Sequence, residues 1–136
     1  MNAFKQRAMR HSMIFFDKVT NSRSNLAKHA KKFITDGCKI LVHSYSGAVL
    51  ESLKAARKMN KHFEVFVTES APDYLGRKMA EALREEGISS TLILDSAIGY
   101  IMERVRIVLV GAEGVVESGG IINKVIINYF YFFIYL

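Results

Sequence analysis

The chain has 136 residues, of which 50% are hydrophobic and 24% charged, with one proline, one cysteine and no tryptophan. This balance is typical of a single folded domain and excludes a disordered, collagen-like or disulfide-rich chain. Because Cys38 is alone, an intrachain disulfide and a zinc site with paired cysteines are excluded. The lone cysteine and the lack of a signal-peptide pattern at the N-terminus favour the reducing environment of the cytoplasm.

Positive charge is concentrated in the first half of the chain. Residues 1–61 contain 13 Lys and Arg against 3 acidic residues, a net charge of +10, whereas residues 62–136 contain 6 against 10, a net charge of −4. Such an asymmetry is typical of an arm that meets an acidic partner, an RNA backbone or a membrane surface, and more commonly of an ordinary solvated helix face. No aromatic-interleaved RNA motif accompanies it, so an RNA-binding arm is only an alternative and direct nucleic-acid binding is not expected.

Residues 1–35 are expected to form a helical segment. Residues 1–20 are compatible with a helix, and residues 20–24 form a polar break. From residue 24 to residue 34, apolar side chains recur at spacings of three and four, with Lys28, Lys31 and Lys32 between them, which predicts a basic amphipathic helix.

From residue 36 to residue 124, short apolar runs alternate with amphipathic helices. The runs at 39–42, 63–67, 91–94 and 107–110 are short and apolar enough to be buried parallel strands. Helices are predicted at 48–59, at 75–86 with Gly87 as its stop, and from 97 to about 104. The predicted fold is α/β, a Rossmann-like, mostly parallel and doubly wound sheet that is incomplete and is preceded by N-terminal helices.

The functional crevice of such a sheet lies outside the carboxyl ends of its strands, which here are followed by the loops 43–47, 68–74, 95–99 and 111–120. No Gly-x-Gly-x-x-Gly follows the first strand and there is no Walker loop. A dinucleotide or nucleoside triphosphate site is therefore not expected, and neither a cofactor nor a metal is predicted.

The first of these loops contains His43, Ser44, Tyr45 and Ser46. The helix that follows presents free backbone amides there, so the cluster is a candidate seat for a phosphate. The alternative is that Ser44 or Ser46 only caps the helix and that His43 is an ordinary loop histidine.

The segment 111–124 combines four glycines with apolar residues. Glycine lets the backbone approach a ligand closely, so Gly119 is a candidate contact, and Glu113 lies directly past the strand end. Asn123 and Lys124 supply a hydrogen-bond donor and a positive charge for a phosphate. Alternatively, Gly119 and Gly120 form a simple turn and Lys124 lies in solvent.

Five motifs carry a family resemblance. They are TDG at 35–37, ILVHSYS at 40–46, VFVTESAPD at 65–73, GYIME at 99–103 and GAEGVVESGGIINK at 111–124. Over about three-quarters of its length the chain resembles the alpha, beta and delta subunits of eukaryotic translation initiation factor two-B, and the alpha type in particular. The wider family includes the methylthioribose-phosphate and ribose-bisphosphate isomerases.

The resemblance implies a regulatory, non-catalytic subunit of the guanine-nucleotide exchange factor for initiation factor two, which acts in the integrated stress response. The implied partners are the other subunits of initiation factor two-B, a second copy of the full-length subunit, and the phosphorylated alpha subunit of initiation factor two. The family meets this phosphorylated partner largely through its N-terminal helical region, so Lys28, Lys31 and Lys32 are candidate partner contacts.

The isomerases imply an alternative function, the aldose-ketose isomerisation of a sugar phosphate. In them a cysteine just after the first-strand histidine and an aspartate after a glycine-alanine pair are expected to do the chemistry. This chain has Ser44 and Glu113 at those positions, and Ala71 where the isomerases tend to have arginine. Serine lacks the acidity of a thiol and the longer Glu113 displaces its carboxylate, so we expect a pocket that binds a sugar phosphate without turning it over.

The tail 125–136 is uncharged, aromatic and β-branched, and it does not continue the family pattern. Its composition of residues with A- and T-rich codons, opening with valine, predicts a translated intron and a fragment-length form of the family protein. Its 12 residues are too few to span a bilayer, which takes about 20 in a helix, so membrane contact is not expected. High β-propensity predicts that the tail adds a strand to the sheet or, when exposed, promotes aggregation.

Overall fold

The computed structural model describes residues 2–123, apart from the side chains of residues 2, 3 and 20. Four helices and six strands follow one another in this part of the chain. Their bounds are α1 Asn2–Ala30, β1 Lys39–His43, α2 Gly47–Arg57, β2 Glu64–Thr68, α3 Leu75–Glu85, β3 Ser89–Ile93, α4 Ile98–Met102, β4 Ile107–Val110, β5 Gly114–Val115 and β6 Ile121–Ile122. The expectations for Lys124 and for the tail 125–136 lie outside the described residues.

The first four strands form one parallel sheet in the order β3-β2-β1-β4. Leu41 of β1 pairs with Phe66 of β2 on one side and with Val108 of β4 on the other. The central strands β1 and β2 are buried along four of their five residues. Their uniformly apolar sequence follows from this position, because both faces of the sheet are covered. The predicted parallel α/β fold is confirmed.

The two edge strands depart from the prediction that every strand is buried. β3 is exposed or half-buried at every position and begins earlier than predicted, with Ser89 and Ser90 paired to Glu64 and Val65. β4 is half-buried throughout, and within residues 2–123 it pairs only with β1. An edge strand has a neighbour on one side only, so fewer of its side chains are covered.

Helices cover both faces of the sheet. On one face, α2 and α3 pack Leu53 and Met79 into the core that contains Val42. On the other face, α4 packs Ile98 into the core that contains Leu41. Neighbouring residues of β1 therefore point into different cores, which is the doubly wound arrangement expected from the sequence.

The N-terminal segment is one continuous helix. The break predicted at residues 20–24 is wrong, because α1 runs through these positions. The predicted basic helix ends at Ala30, earlier than the expected residue 34. Just past this end, the Lys61 ammonium group donates to the carbonyls of Lys31 and Ile34, where the negative end of the helix dipole attracts a cation. Ala27 and Ile34 are buried, and α1 packs against α2.

None of the described helices, α1 included, is long and apolar enough to cross a membrane.

The other helices begin and end close to their predicted positions. Gly87 has a φ of +68° and its N–H donates to the Arg84 carbonyl at 3.0 Å, so its predicted role as the stop of α3 is confirmed. The helix predicted from 97 to about 104 is shorter, because a 3-10 turn, Asp95–Ala97, precedes α4 and α4 ends at Met102.

The sheet reverses its direction of growth at β1. The strands β2 and β3 are added on one side of β1 and β4 on the other. A crevice opens at such a point, outside the carboxyl ends of the two strands concerned. His43, the last residue of β1, and Gly111, the first residue after β4, lie at this crevice.

Gly76 brings α3 against the end of β2. A methyl group at this position would overlap the carbonyl oxygen of Thr68. We expect Gly76→Ala to lower the free energy of unfolding by about 2–4 kcal/mol, because the α3 backbone must move away from β2. Gly47→Ala is the control, since its methyl group would meet only Arg23 Nη1, at 4.0 Å, and should not lower the stability. Urea denaturation measures both variants, and equal stabilities would contradict the close approach.

Candidate functional site

A cavity of about 310 Å³ lies at the crevice. The loops after β1, β2 and β4 line it, together with one side chain of α1. The predicted site residues that line it are His43, Ser44, Tyr45, Ser46, Glu113 and Asn123. The fold thus brings together two segments that are far apart in the sequence.

Ser46 is the N-cap of α2. Its hydroxyl oxygen accepts a hydrogen bond from the Val49 N–H at 3.4 Å, so the capping interpretation of Ser46 is confirmed. Gly47 and Ala48, the first residues of the helix, also line the cavity. The start of α2 therefore still offers backbone N–H groups to an anion.

Gly111 permits the end of β4 to approach α2. A methyl group at this position would lie 2.7 Å from Ser46 Oγ and 2.9 Å from Ser46 Cβ. Both distances are shorter than real contacts of a Cβ atom, so a larger residue would push the two elements apart. This approach closes one wall of the cavity.

His43 is buried at the end of β1, in the strand rather than in the loop where the sequence placed it. Its Nδ1 shares a 2.6 Å hydrogen bond with Thr68 Oγ1 at the end of β2. Burial lowers the pKa of His43 below its ordinary value of 6.5, and the Asp95 carboxylate opposes this shift in part. Asp95 accepts hydrogen bonds from the N–H groups of Ser70 and Ala71 at 2.9 and 2.8 Å. His43 is therefore a neutral side chain near pH 7 that joins the ends of two strands.

Ser44 and Tyr45 form the turn between β1 and α2. Ser44 has a φ of +60°, a left-handed backbone that few residues with a side chain adopt. The Lys78 ammonium group lies 5.1 Å from the centre of the Tyr45 ring, a cation-π contact between this turn and α3. Left-handed residues are enriched in ligand clamps and active sites, which agrees with the position of this turn on the cavity.

The glycine-rich segment forms a small hairpin in which β5 pairs antiparallel with β6. Gly119 lies in its turn, with a φ of +84° and an N–H that donates to the Val116 carbonyl at 2.9 Å. Gly119 does not line the cavity, so its predicted ligand contact is not found there, and the turn interpretation describes it.

Asn123 attaches the hairpin to the loop after β4, and Glu113 closes the base of the hairpin. The side-chain amide of Asn123 donates to the Gly111 carbonyl at 2.8 Å. The Glu113 N–H donates to the Ile122 carbonyl, also at 2.8 Å. The amide of Asn123, expected to meet a phosphate, thus also holds the loop after β4 in place.

The site prediction missed two charged residues of the cavity, Arg23 and Asp73. Arg23 Nη1 lies 4.0 Å from the point where a Gly47 Cβ would be, so the guanidinium lies at the start of α2. Nothing near Arg23 in the sequence links it to the strand ends, because α1 brings it there through tertiary packing. Asp73 lies in the loop 68–74, which follows the carboxyl end of β2. The position of the crevice at the strand ends therefore already pointed to this residue.

The predicted basic surface extends onto α2. Lys28 lines a groove of about 430 Å³ between α1 and α2, together with Arg23 of α1 and Lys54 of α2. Lys58, just past the end of α2, also lines it, and so does one acidic residue, Glu51, which pairs with Lys54 at 3.3 Å. Lys31 is half-buried and Lys32 exposed, just past the end of α1. Positive charge from two helices therefore meets in this groove.

The cavity is suited to a polar, anionic small molecule. The Arg23 guanidinium and the N–H groups at the start of α2 are donors for a phosphate. The carboxylates of Asp73 and Glu113 accept hydrogen bonds, as the hydroxyls of a sugar require. Over residues 2–123, no group of three or more His, Cys, Asp or Glu side chains is arranged to hold a metal ion.

A family model described as the Initiation factor 2 subunit family matches residues 1–125. The chain belongs to this family. It is 47% identical over 125 residues to the Caenorhabditis elegans protein named translation initiation factor eIF2B subunit alpha, which covers 92% of this chain and 40% of that protein. It is also 36% identical over 121 residues to the ribose 1,5-bisphosphate isomerase of Archaeoglobus fulgidus, over 89% of this chain and 39% of the isomerase. The chain thus spans about two-fifths of the length of these relatives.

The family fold is also found among solved structures. The Pyrococcus horikoshii translation initiation factor eIF-2B matches with a TM-score of 0.80 and 34% identity, over 82% of this chain and 41% of that chain. The resemblance to the initiation factor two-B subunits, with archaeal isomerases among the relatives, is therefore confirmed.

The pKa of His43 makes stability depend on pH. Since burial holds the folded-state pKa below 6.5, the unfolded chain gains a proton below pH 6.5 that the folded chain does not bind. The stability present above pH 6.5 should therefore be lost as the pH falls toward the folded-state pKa. His43→Gln should reduce this loss, and His11→Gln, at an exposed position of α1, should not. Urea denaturation at about pH 7.5 and about pH 5.5 tests this, and an unchanged pH dependence in H43Q would contradict it.

Proposed function

We propose that this chain acts as a regulatory, non-catalytic subunit of the cytoplasmic exchange factor for translation initiation factor two. The observation that carries the proposal is its 47% identity to an eIF2B alpha subunit. The two positions at which the family resemblance places isomerase catalytic groups hold Ser44 and Glu113. Both residues line the cavity, so these two differences from the isomerases lie where an isomerase reaction would take place.

The side chains at these positions support binding rather than turnover. Aldose-ketose isomerisation needs groups that exchange protons near neutral pH. The Ser44 hydroxyl does not ionise in this range without an activating base, whereas a thiol loses its proton far more readily. Glu113 is exposed, and its additional methylene moves the carboxylate from the position of an aspartate.

The cavity is proposed to retain a sugar phosphate. The phosphate would lie at the start of α2, where Arg23 and the N–H groups of Gly47 and Ala48 meet. The sugar hydroxyls would then face Asp73 and Glu113. This orientation separates the anionic end of the ligand from the two carboxylates, which would repel it.

Arg23 is the residue whose removal tests the pocket. Arg23→Gln should weaken the binding of ribose 5-phosphate about tenfold or more, because a charge-assisted hydrogen bond to a phosphate contributes roughly 1.5–3 kcal/mol. Arg10→Gln, at another exposed position of α1, is the control and should bind like the unchanged chain. Isothermal titration calorimetry measures all three proteins. An absence of binding to the folded, unchanged chain would contradict the retained pocket.

The alternative function is aldose-ketose isomerisation, which the 36% identity to an archaeal ribose 1,5-bisphosphate isomerase favours. The same pocket then turns its ligand over. Incubation of the chain with ribose 1,5-bisphosphate distinguishes the two functions, because only an isomerase forms the ketose. Formation of the ketose above the rate in buffer would overturn the non-catalytic proposal.

The proposed partners are the other subunits of initiation factor two-B, a second copy in the full-length protein, and the phosphorylated alpha subunit of initiation factor two. Phe4, Phe15 and Phe16 of α1 are at least 70% exposed, and exposed aromatic side chains of this kind mark protein contact surfaces. The basic groove between α1 and α2 lies on the same helix and attracts a phosphorylated or acidic surface.

Charge reversal at Lys28, Lys31 and Lys32 tests the basic surface. The triple change to glutamate should weaken binding to the phosphorylated alpha subunit of initiation factor two about tenfold or more at low salt, because attraction becomes repulsion. The matched control reverses three exposed cations of α3, Arg77, Lys78 and Arg84, and should have a smaller effect. Equal affinities of the two variants, measured by biolayer interferometry, would contradict the assignment of this surface.

A further inference from the structure

The carboxylate of Asp95 holds the loop between β2 and α3. Its two oxygens accept hydrogen bonds from the N–H groups of Ser70 and Ala71, at 2.9 and 2.8 Å. Asp95 follows β3 and Ser70 follows β2, so these bonds join the ends of two paired strands. Hydrogen bonds to an ionised carboxylate are roughly twice as strong as those between neutral groups. The charge of Asp95 therefore fixes the loop more firmly than a neutral side chain would.

The loop needs this support, because its backbone is strained where Asp95 holds it. Ser70 has a left-handed backbone, with a φ of +60°. Its buried hydroxyl has no hydrogen-bond partner among residues 2–123. Both features cost free energy, since few residues with a side chain adopt this backbone and a buried hydroxyl loses its bonds to water. The two bonds from Asp95 offset this cost.

The same loop forms part of the cavity at the crevice. Asp73 lines the cavity, whereas Asp95 does not. The Tyr74 N–H, next to Asp73 in the chain, donates to the Ser70 carbonyl at 2.8 Å. The turn that contains Asp73 is thus closed on Ser70, the residue that Asp95 holds. A change at Asp95 should therefore move the carboxylate of Asp73 relative to the cavity.

We propose that Asp95 is a positioning residue, which holds Asp73 where it accepts hydrogen bonds from the hydroxyls of a sugar phosphate. This role rests on the proposed function, since that ligand is the one that Asp73 would meet. The phosphate would lie at Arg23 and the start of α2, which belong to other elements than the loop. The role of Asp95 therefore concerns the sugar and not the phosphate.

NMR titration of the whole chain with ribose 5-phosphate and with inorganic phosphate tests the proposal. Asp95→Asn keeps the shape of the side chain but removes its charge and one of its two acceptor oxygens. We expect it to weaken the binding of ribose 5-phosphate about fivefold or more, because charge-assisted bonds no longer hold the loop. The binding of inorganic phosphate should not weaken. An unchanged affinity for ribose 5-phosphate, or an equal loss for both ligands, would overturn the proposal.

Asp36→Asn is the matched control. The Asp36 carboxylate also holds a loop, since it accepts a hydrogen bond from the His62 N–H at 2.6 Å, but Asp36 does not line the cavity. Its replacement should leave the affinity for ribose 5-phosphate unchanged. A loss as large as that in Asp95→Asn would contradict the positioning role, because the effect would then be one of general stability.

A double variant separates positioning of Asp73 from a general loss of structure. Once Asp73→Asn has removed the carboxylate that Asp95 positions, a second change at Asp95 has little left to affect. The double variant Asp73→Asn, Asp95→Asn should bind ribose 5-phosphate within about twofold of Asp73→Asn alone, whereas independent losses multiply. Multiplied losses would show that Asp95 does not act through Asp73.

Hydrogen exchange on the unchanged chain gives a readout that no failed variant affects. A ligand that binds Asp73 stabilises the closed loop, so ribose 5-phosphate should slow the exchange of the Ser70 and Ala71 amide protons about fivefold or more. Inorganic phosphate should not slow it. Unaltered exchange in a chain that binds ribose 5-phosphate would overturn the role of Asp95 and leave the retained pocket standing. Failure of the folded, unchanged chain to bind ribose 5-phosphate would overturn both.

Discussion

The end of β4 and the first turn of α2 lie so close that any side chain at position 111 would overlap Ser46. This approach lies beside the paired strands β1 and β4, where the strand order of the sheet reverses, and it brings the helix after β1 against the loop after β4. The hydrogen bond from Asn123 to the Gly111 carbonyl extends the attachment to the hairpin. The cavity between residues 43–46 and 111–123 therefore depends on one glycine, because a larger residue would open its wall.

The strand and helix alternation was predictable because β1 and β2 are covered on both faces and leave continuous apolar runs. The apolar pattern is weaker in the edge strand β3, which is not fully buried. Ser89 and Ser90 belong to this strand although neither is apolar. The continuity of α1 across residues 20–24 was not predictable from local propensity, since burial of Ala27 and packing on α2 hold the helix in place. Tertiary packing also brings Arg23 of α1 to the cavity. The spacing of residues in the sequence does not predict this position. The role of Gly119 could not be predicted for a different reason, since glycine is equally suited to a ligand contact and to a turn.

The site also shows why the fold does not decide the function. Proteins named as initiation factor subunits and as a sugar-phosphate isomerase are similar to this chain over much the same residues. The crevice, the helix start and the hairpin come from the fold. In the proposed non-catalytic function, the difference between binding and catalysis rests on a few side chains such as Ser44 and Glu113, which line that crevice. His43 has a structural role beside these residues, because its hydrogen bond to Thr68 holds two strand ends together in a buried environment.

Arg23 lines both the cavity at the crevice and the groove between α1 and α2. A single guanidinium thus contributes to the potential of two neighbouring spaces, and an anion that draws it fully into one removes positive charge from the other. The coupling free energy between two bound ligands is reciprocal. Two ligands that both need Arg23 would therefore lower each other's affinity by the same factor. A small molecule in the cavity and a partner on the helical surface would then be competitors without touching, through one shared side chain.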